Sequence, residues 1–312
     1  MSPTQYNASH AHSDIAKPVA GHWCGVSIEQ IGTHSSQAGR SPDNRARILA
    51  RRVVPAKTDG ERAMAQFDEY AQKYQTIHME RQNGILQITF HTNNGPLQWG
   101  EAPHREFPEA FRDIGSDPDT KVVIMTGTGD AFSGPRATPD VRLRRTARDW
   151  DKTYWEGKHL LLSLLDIEVP MISAINGPAL RHSELPLLCD IVLAAEETTF
   201  QDSAHFANGL VPGDGMHIIY PLLLGLNRGR YFLLTGQTLA ARQAHELGLV
   251  NEVLPRQELL PRAWALAEQL AQRPPLVLRY SRVLLTQHLK RLAHDLLGYG
   301  LALEGLGVAA ES

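Results

Sequence analysis

Two histidines and two carboxylates in the second half of the chain hold most of its capacity for proton chemistry: His182, His205, Asp214 and Glu304. An imidazole takes up and returns a proton near neutral pH, because its unperturbed pKa is about 6.5. A carboxylate behind it fixes the tautomer and stabilises the imidazolium that forms. His205 and Asp214 suit such a pair, with the Pro212-Gly213-Asp214-Gly215 turn presenting the acid. Asp214 has a second reading, as an acid at the start of the following helix, where a carboxylate contributes about 1 kcal/mol. His182 stands just past a strand end, where a side chain faces a cleft, and equally in the first turn of a short helix. Trp99 is either core volume or an indole N–H donor in an apolar wall. Glu304 shares a helix with Leu301, Leu303 and Leu306 and reads by itself as a solvated residue.

Other groups point nowhere so definite. His10, His12 and His217 have no second partner at metal-ligand spacing. Gly127-Thr128-Gly129 follows a strand but lacks the Lys-Ser/Thr and third glycine of phosphate loops, and reads as a turn. No serine sits in a Gly-x-Ser-x-Gly elbow, which argues against a serine hydrolase. Cys24 and Cys189 are too few and too far apart for a disulfide framework or a zinc cluster. A net charge of −3 gives no electrostatic reason to expect nucleic acid or an anionic membrane as partner. With 42% hydrophobic and 21% charged residues and no apolar run near the ~18 residues of a membrane helix, a soluble cytoplasmic protein is the default expectation.

The stretch from Pro170 to Gly215 must position these residues. Met171 to Ile175 is an apolar run ended by Asn176-Gly177-Pro178, the pattern of a buried strand entering a turn. Glu184 to Cys189 predicts a short helix, Ile191 to Ala195 a second buried strand, and Thr198 to Phe200 a third. An apolar helix is expected from Met216 to Leu224. Upstream, strands are predicted at Gly84–Phe90 and Val122–Thr126, and helices at His104–Ile114 and Trp150–Leu165. Downstream come helices at 228–234 and 240–247, a strand at 250–253, and helices at 258–272, 276–289 and from His294 onward. Residues 1–62 show no sustained period. Their arginines, Arg45, Arg47, Arg51 and Arg52, are offset by Asp14, Glu29, Asp43 and Asp59, which argues against a targeting peptide. They are expected to be a dispensable extension, disordered or preceding a true start at Met64. The division expected is 1–62 extension, 63–255 core and 256–312 helical region.

Asn-Gly at a strand end, an acidic residue before a helix ending in Cys-Asp, then Ile-Val-Leu-Ala-Ala-Glu and Val-Pro-Gly, resembles the crotonase (enoyl-CoA hydratase/isomerase) superfamily. That pattern has three glycines after the strand, a catalytic Glu shortly after them and a second Glu seven residues before Pro-Gly. Here Arg181-His182-Ser183 stands at the glycines, His205 at the second Glu, and Asp214 at a normally small residue. Glu184 falls one residue short of the first Glu. The segments NGPALRHSELP, FQDSAHF, VPGDGMH, NRGRYFLLTGQ and VNEVLPRQELLPRAW are similar to the β-diketone hydrolase branch of the 6-oxocamphor hydrolase type. The similarity runs from about Phe67 to the C-terminus.

The resemblance implies an α/β fold, a crotonase-like ββα superhelix with a C-terminal helical trimerisation region, and a homotrimer or dimer of trimers. It implies retro-Claisen cleavage of a cyclic or bicyclic β-diketone to a keto acid, with no cofactor and no metal. Such cleavage needs an activated water, a stabilised oxyanion and an accepted, protonated enolate. The resemblance gives the first task to His205 with Asp214, a carbonyl-binding and enolate role to His182, a substrate contact to Trp99 and a site position to Glu304. The loop from Ala131 to Thr138 lacks the Ala-Gly-x-Asp of coenzyme A binders, and Pro135 has no N–H to donate. Two alternatives stand beside this reading: hydration or isomerisation of an acyl-CoA thioester, and a non-catalytic oligomerisation module.

Overall fold

Residues 65–134 and 146–310 are described by the structure, a computed structural model. They belong to one compact unit, Asp59–Ser312. The expected extension at 1–62 and the proline at Pro135 lie outside the described residues.

The strands are β1 (Ile77–Gln82), β2 (Ile85–Phe90), β3 (Val122–Gly127), β4 (Met171–Ile175), β5 (Ile191–Ala195), β6 (Thr199–Phe200), β7 (Leu239–Ala240) and β8 (Glu252–Leu254). The helices are α1 (Phe67–Tyr70), α2 (Glu101–Ser116), α3 (Ala147–Leu165), α4 (Glu184–Leu187), α5 (Met216–Leu224), α6 (Leu226–Thr235), α7 (Ala241–Glu246), α8 (Arg256–Ala271) and α9 (Pro275–Ala310). Six strands form one sheet in the order β1-β2-β3-β4-β5-β8, antiparallel only between β1 and β2. β3 and β4 are apolar runs buried on both faces, as parallel strands covered by helices must be. β1 is absent from the expectations above. Its turn, Asn83-Gly84, has φ of 54° and 80°, the left-handed pair that closes a two-residue hairpin.

One face of the sheet packs on α2, α3 and the helices around the site; the Phe90 and Phe107 rings stack there at 4.4 Å. On the other face, Leu259, Ala263 and Ala267 of α8 pack against Ile124, Ile172 and Leu193. The parallel strands deliver their carboxyl ends to a single edge, where the turns after β3 and β4 meet. Asn176 ties those turns together. Its amide donates to the carbonyls of Gly129 (3.0 Å) and Ala131 (3.3 Å), and its oxygen accepts from Gly127 N (3.1 Å).

α9 differs from its prediction as two helices, running unbroken for 36 residues. Residues 290–294, Lys-Arg-Leu-Ala-His, contain neither proline nor glycine, so nothing there ends a helix. α9 crosses the Pro212–Gly215 turn at close quarters because both sides are glycine. A Cβ on Gly213 would overlap the Gly300 carbonyl and come within 2.9 Å of Glu304 Cβ. Trp150 of α3 fastens the same helix, its indole donating to Leu301 O at 3.0 Å over the bare Gly305. Gly213→Ala is therefore expected to push α9 off the turn and to destabilise the protein by about 1–3 kcal/mol, the usual cost of forced overpacking. Thermal unfolding measures it; an unchanged midpoint would show that α9 is not held at this crossing.

Candidate active site

Each candidate side chain reaches the strand-end edge from a different element. Trp99 and His104 flank the start of α2. His182 and Glu184 follow the turn after β4, His205 lies in the loop after β6, Asp214 precedes α5, and Glu304 projects from α9. His182 has φ of 48°, a left-handed residue where the family pattern has glycine. Imidazole side chains tolerate that region better than most, and a local bond from Leu185 N to His182 O (3.1 Å) holds the bend. The N-cap of α5 is Gly215, with no side-chain cap bond, and the Asp214 carboxylate faces imidazoles instead.

His205 is enclosed by carboxylates on both ring nitrogens. Its Nδ1 is 2.7 Å from Asp202 Oδ1; its Nε2 is 3.2 Å from Asp214 Oδ2 and 3.6 Å from Glu304 Oε1. Asp214 Oδ2 also lies 3.6 Å from His182 Nδ1, which is 2.8 Å from Glu184 Oε1. His182 Nε2 is 3.2 Å from His104 Nε2. The Trp99 ring centroid sits 4.1 Å from that of His182. All of these side chains except His104 are buried.

Proton positions follow from the partners. His104 Nδ1 lies 2.7 Å from the Gly100 carbonyl, which only accepts, so Nδ1 carries the proton and Nε2 a lone pair. His182 Nε2 must then be the donor between the two rings. Burial pushes the pKa of His104 down to about 4, helped by the positive charge of His182. Burial also opposes charge on His182, but Glu184 and then Asp214 raise its pKa. His205 is likewise opposed by burial, and Asp214 with Asp202 holds it well above the ordinary imidazole value. Asp214 lies below the usual carboxylate range because His205 and His182 outweigh its burial. Glu304 goes the other way, lifted by burial and by the Asp214 charge to about 8. Burial raises Glu184 against the pull of His182.

Several buried polar atoms here have no hydrogen-bond partner among the described residues: Trp99 Nε1, Glu184 Oε2, Asp202 Oδ2, Asp214 Oδ1 and Glu304 Oε2. A polar ligand is the natural complement of such atoms. Backbone donors are less available. Phe132 N and Ser133 N both donate to Pro178 O (3.0 and 3.2 Å), and Gly134 N donates to Leu97 O (2.9 Å). His182, Glu184 and Asp214 bring ligand-type atoms within 4.8 Å of one another, the grouping among the described residues compact enough for a cation. The 2.8 Å separation of His182 and Glu184 is that of a hydrogen bond, shorter than the about 3.3 Å expected between two ligands of one tetrahedral ion.

Residues 80–299 match the enoyl-CoA hydratase/isomerase family. The chain belongs to this family. Its sheet order, flanking helices and long C-terminal helix are those of the crotonase fold. A β-diketone hydrolase from the cyanobacterium Anabaena sp. PCC 7120, solved bound to (S)-3-oxocyclohexyl acetic acid, is 54% identical. That likeness covers 78% of this chain and 97% of the other, with a TM-score of 0.74. Carnitinyl-CoA dehydratase of Salmonella paratyphi A is 30% identical over 65% of this chain and 77% of its own length. Hydroxycinnamoyl-CoA hydratase-lyase of Pseudomonas fluorescens is 26% identical over 68% and 79%.

The crotonase fold places every sequence-predicted site residue, Trp99, His182, His205, Asp214 and Glu304, at this one edge. Glu304 is buried rather than solvated. Sequence reasoning missed Asp202, His104 and the contact of Glu184 with His182. Asp202 had a local signal, an Asp three residues before a His in a loop. His104 had none, since its partner is 78 positions away. The opposite shifts of His104 and His205 should show in the nitrogen spectra of labelled histidines: His104 neutral at pH 5.5, His205 titrating above its ordinary 6.5. The folded chain refuses a proton on His104 that the unfolded chain accepts, so this group removes stability as pH falls from its ordinary 6.5 toward about 4. A His104 resonance titrating near 6.5 would show that burial and the His182 charge do not hold the ring neutral.

Proposed function

We propose that this chain hydrolyses a carbon–carbon bond of a cyclic or bicyclic β-diketone, a retro-Claisen cleavage giving a keto acid. The observation that carries the reading is the 54% likeness, across 97% of its length, to a β-diketone hydrolase holding (S)-3-oxocyclohexyl acetic acid. That ligand is itself a keto acid. Rejoining its carboxyl carbon to the far ring carbon beside the ketone regenerates a bicyclic 1,3-diketone.

The geometry supplies groups for each step. A water beside His205, Asp214 and Glu304 loses a proton to this cluster, and the hydroxide attacks one carbonyl. Glu304, at about 8, is the member whose proton affinity best suits a base at working pH. When the tetrahedral oxyanion collapses, the C–C bond breaks and its electron pair moves onto the second carbonyl as an enolate. Trp99 Nε1 is an uncommitted donor for that oxygen, and the positive charge of His182 beside it stabilises the enolate. The proton taken from water returns to the enolate carbon, so diketone and water account for every atom of the keto acid. The described amides of the loop after β3, Phe132–Gly134, are already spent on carbonyls.

The test is a panel of cyclic 1,3-diketones followed by loss of ultraviolet absorbance. Turnover is expected, rising with pH through about 8, because Glu304 must first give up a proton that burial and the Asp214 charge make it hold. His205→Ala, Asp214→Asn and the double variant should show similar large losses, since the carboxylate matters through the imidazole. Hydration of an enoyl-CoA with no diketone turnover would overturn the reading.

We also propose that the chain assembles as a trimer or a dimer of trimers. Leu276, Tyr280, Leu284 and Leu285 of α9, with Leu226 and Tyr231 of α6, are large apolar side chains exposed in the single chain. A solution mass three or six times that of one chain is expected; a monomer would sink the proposal.

A further inference from the structure

Asp202 lies in none of the roles assigned above, yet it makes the shortest contact of the His205 ring. We propose that Asp202 is a positioning residue that locks His205 in one orientation and one tautomer, leaving Nε2 as its only working nitrogen. The inference deepens the hydrolase reading and rests on it for the consequence in turnover, but not for the geometry.

One oxygen does the holding. Asp202 Oδ1 receives His205 Nδ1–H at 2.7 Å, the backbone N–H of His205 at 3.3 Å and that of Ala204 at 3.2 Å. Two of these donors are main chain, so the carboxyl group is pinned by the loop itself before it meets the ring. Asp202 is 2% exposed and His205 3%, which removes competing water from the contact. With Nδ1 committed, Nε2 is directed at Asp214 and Glu304. The charged and titratable groups facing His205 are thus Asp202 from its own loop, Asp214 from the turn before α5, Glu304 from α9 and, further off, His182 from the turn after β4. A flipped ring would turn Cδ2 toward Asp202 and Cε1 toward Asp214 and Glu304, losing these contacts. Asp202 forbids the flip.

The arrangement makes Asn an informative replacement. In Asp202→Asn the carbonyl oxygen must occupy the Oδ1 position, because both backbone donors there require an acceptor. The NH2 group then falls at Oδ2, which has no partner among the described residues. Orientation and tautomer survive while the negative charge is lost. Asp202→Ala instead removes the lock.

Two measurements on the full chain separate the possibilities. In nitrogen spectra of histidine-labelled protein without substrate, Asp202→Asn should move the titration of His205 to lower pH and keep the proton on Nδ1. The pH dependence of diketone turnover should shift the same way. Asp202→Ala should lower kcat about 100-fold with KM unchanged, the scale of loss for a misplaced catalytic group. A His205 titration unmoved in Asp202→Asn would overturn the proposal and leave Asp202 a loop-folding residue. So would a kcat unchanged in Asp202→Ala. If no diketone is turned over by the unaltered chain, the hydrolase reading fails and the spectra alone decide the role of Asp202.

Discussion

The constraint that governs this molecule is the burial of four carboxylates, Glu184, Asp202, Asp214 and Glu304, against the imidazoles of His182 and His205. An isolated buried charge costs several kcal/mol, and pairing offsets that only when geometry is good and the remaining lone pairs are met. Here the pairs are close: 2.8 Å for His182 with Glu184 and 2.7 Å for His205 with Asp202. What the cluster lacks is enough positive charge for every acid to ionise. Protons must therefore be retained by the group that gains least from ionising. Glu304 is that group, 3.6 Å from the nearest imidazole nitrogen and under the field of Asp214.

The rest of the fold can be understood as what holds that cluster dry and fixed. Glu304 comes from the far end of the chain and reaches Asp214 only because two glycines let α9 touch the turn before α5. The Trp150 indole, clamped to Leu301 O, stops the helix from lifting away. On the opposite side Trp99 closes the rings of His182 and His104 against the main core. Packing and charge are one problem here. A helix displaced by an ångström would admit water and collapse the difference between Glu304 and an ordinary carboxylate.

The strands and helices nearest the chemistry were legible in the sequence because they obey local rules. Met171–Ile175 and Ile191–Ala195 are apolar runs of strand length, and the Pro-Gly turn announces α5. β1 escaped because its outward residues, His78, Glu80 and Gln82, dilute the apolar pattern, although Asn83-Gly84 marks the hairpin. The continuity of α9 escaped because a polar stretch was read as a break where no breaker stands. At the site, residue types and the family resemblance singled out Trp99, His182, His205, Asp214 and Glu304. The His104 contact was illegible for a physical reason: it exists only after α2 packs beside the turn that follows β4, and its tautomer depends on a backbone carbonyl.

The departures from the hydratase pattern form one coherent change rather than several. Glycine after β4 leaves backbone amides accessible, whereas Arg181-His182-Ser183 brings in an imidazole on a left-handed bend. The amides of the neighbouring Phe132 to Gly134 segment are already bonded to carbonyls. Among the described side chains here, the buried Trp99 indole keeps an uncommitted N–H, beside an imidazole whose two ring nitrogens are held by Glu184 and His104. Histidine at the second Glu position follows from the same change. Once His182 is cationic, the field of Asp214 is divided between two imidazoles, and the remaining acids, Asp202 and Glu304, set where His205 points and when the cluster can take a proton.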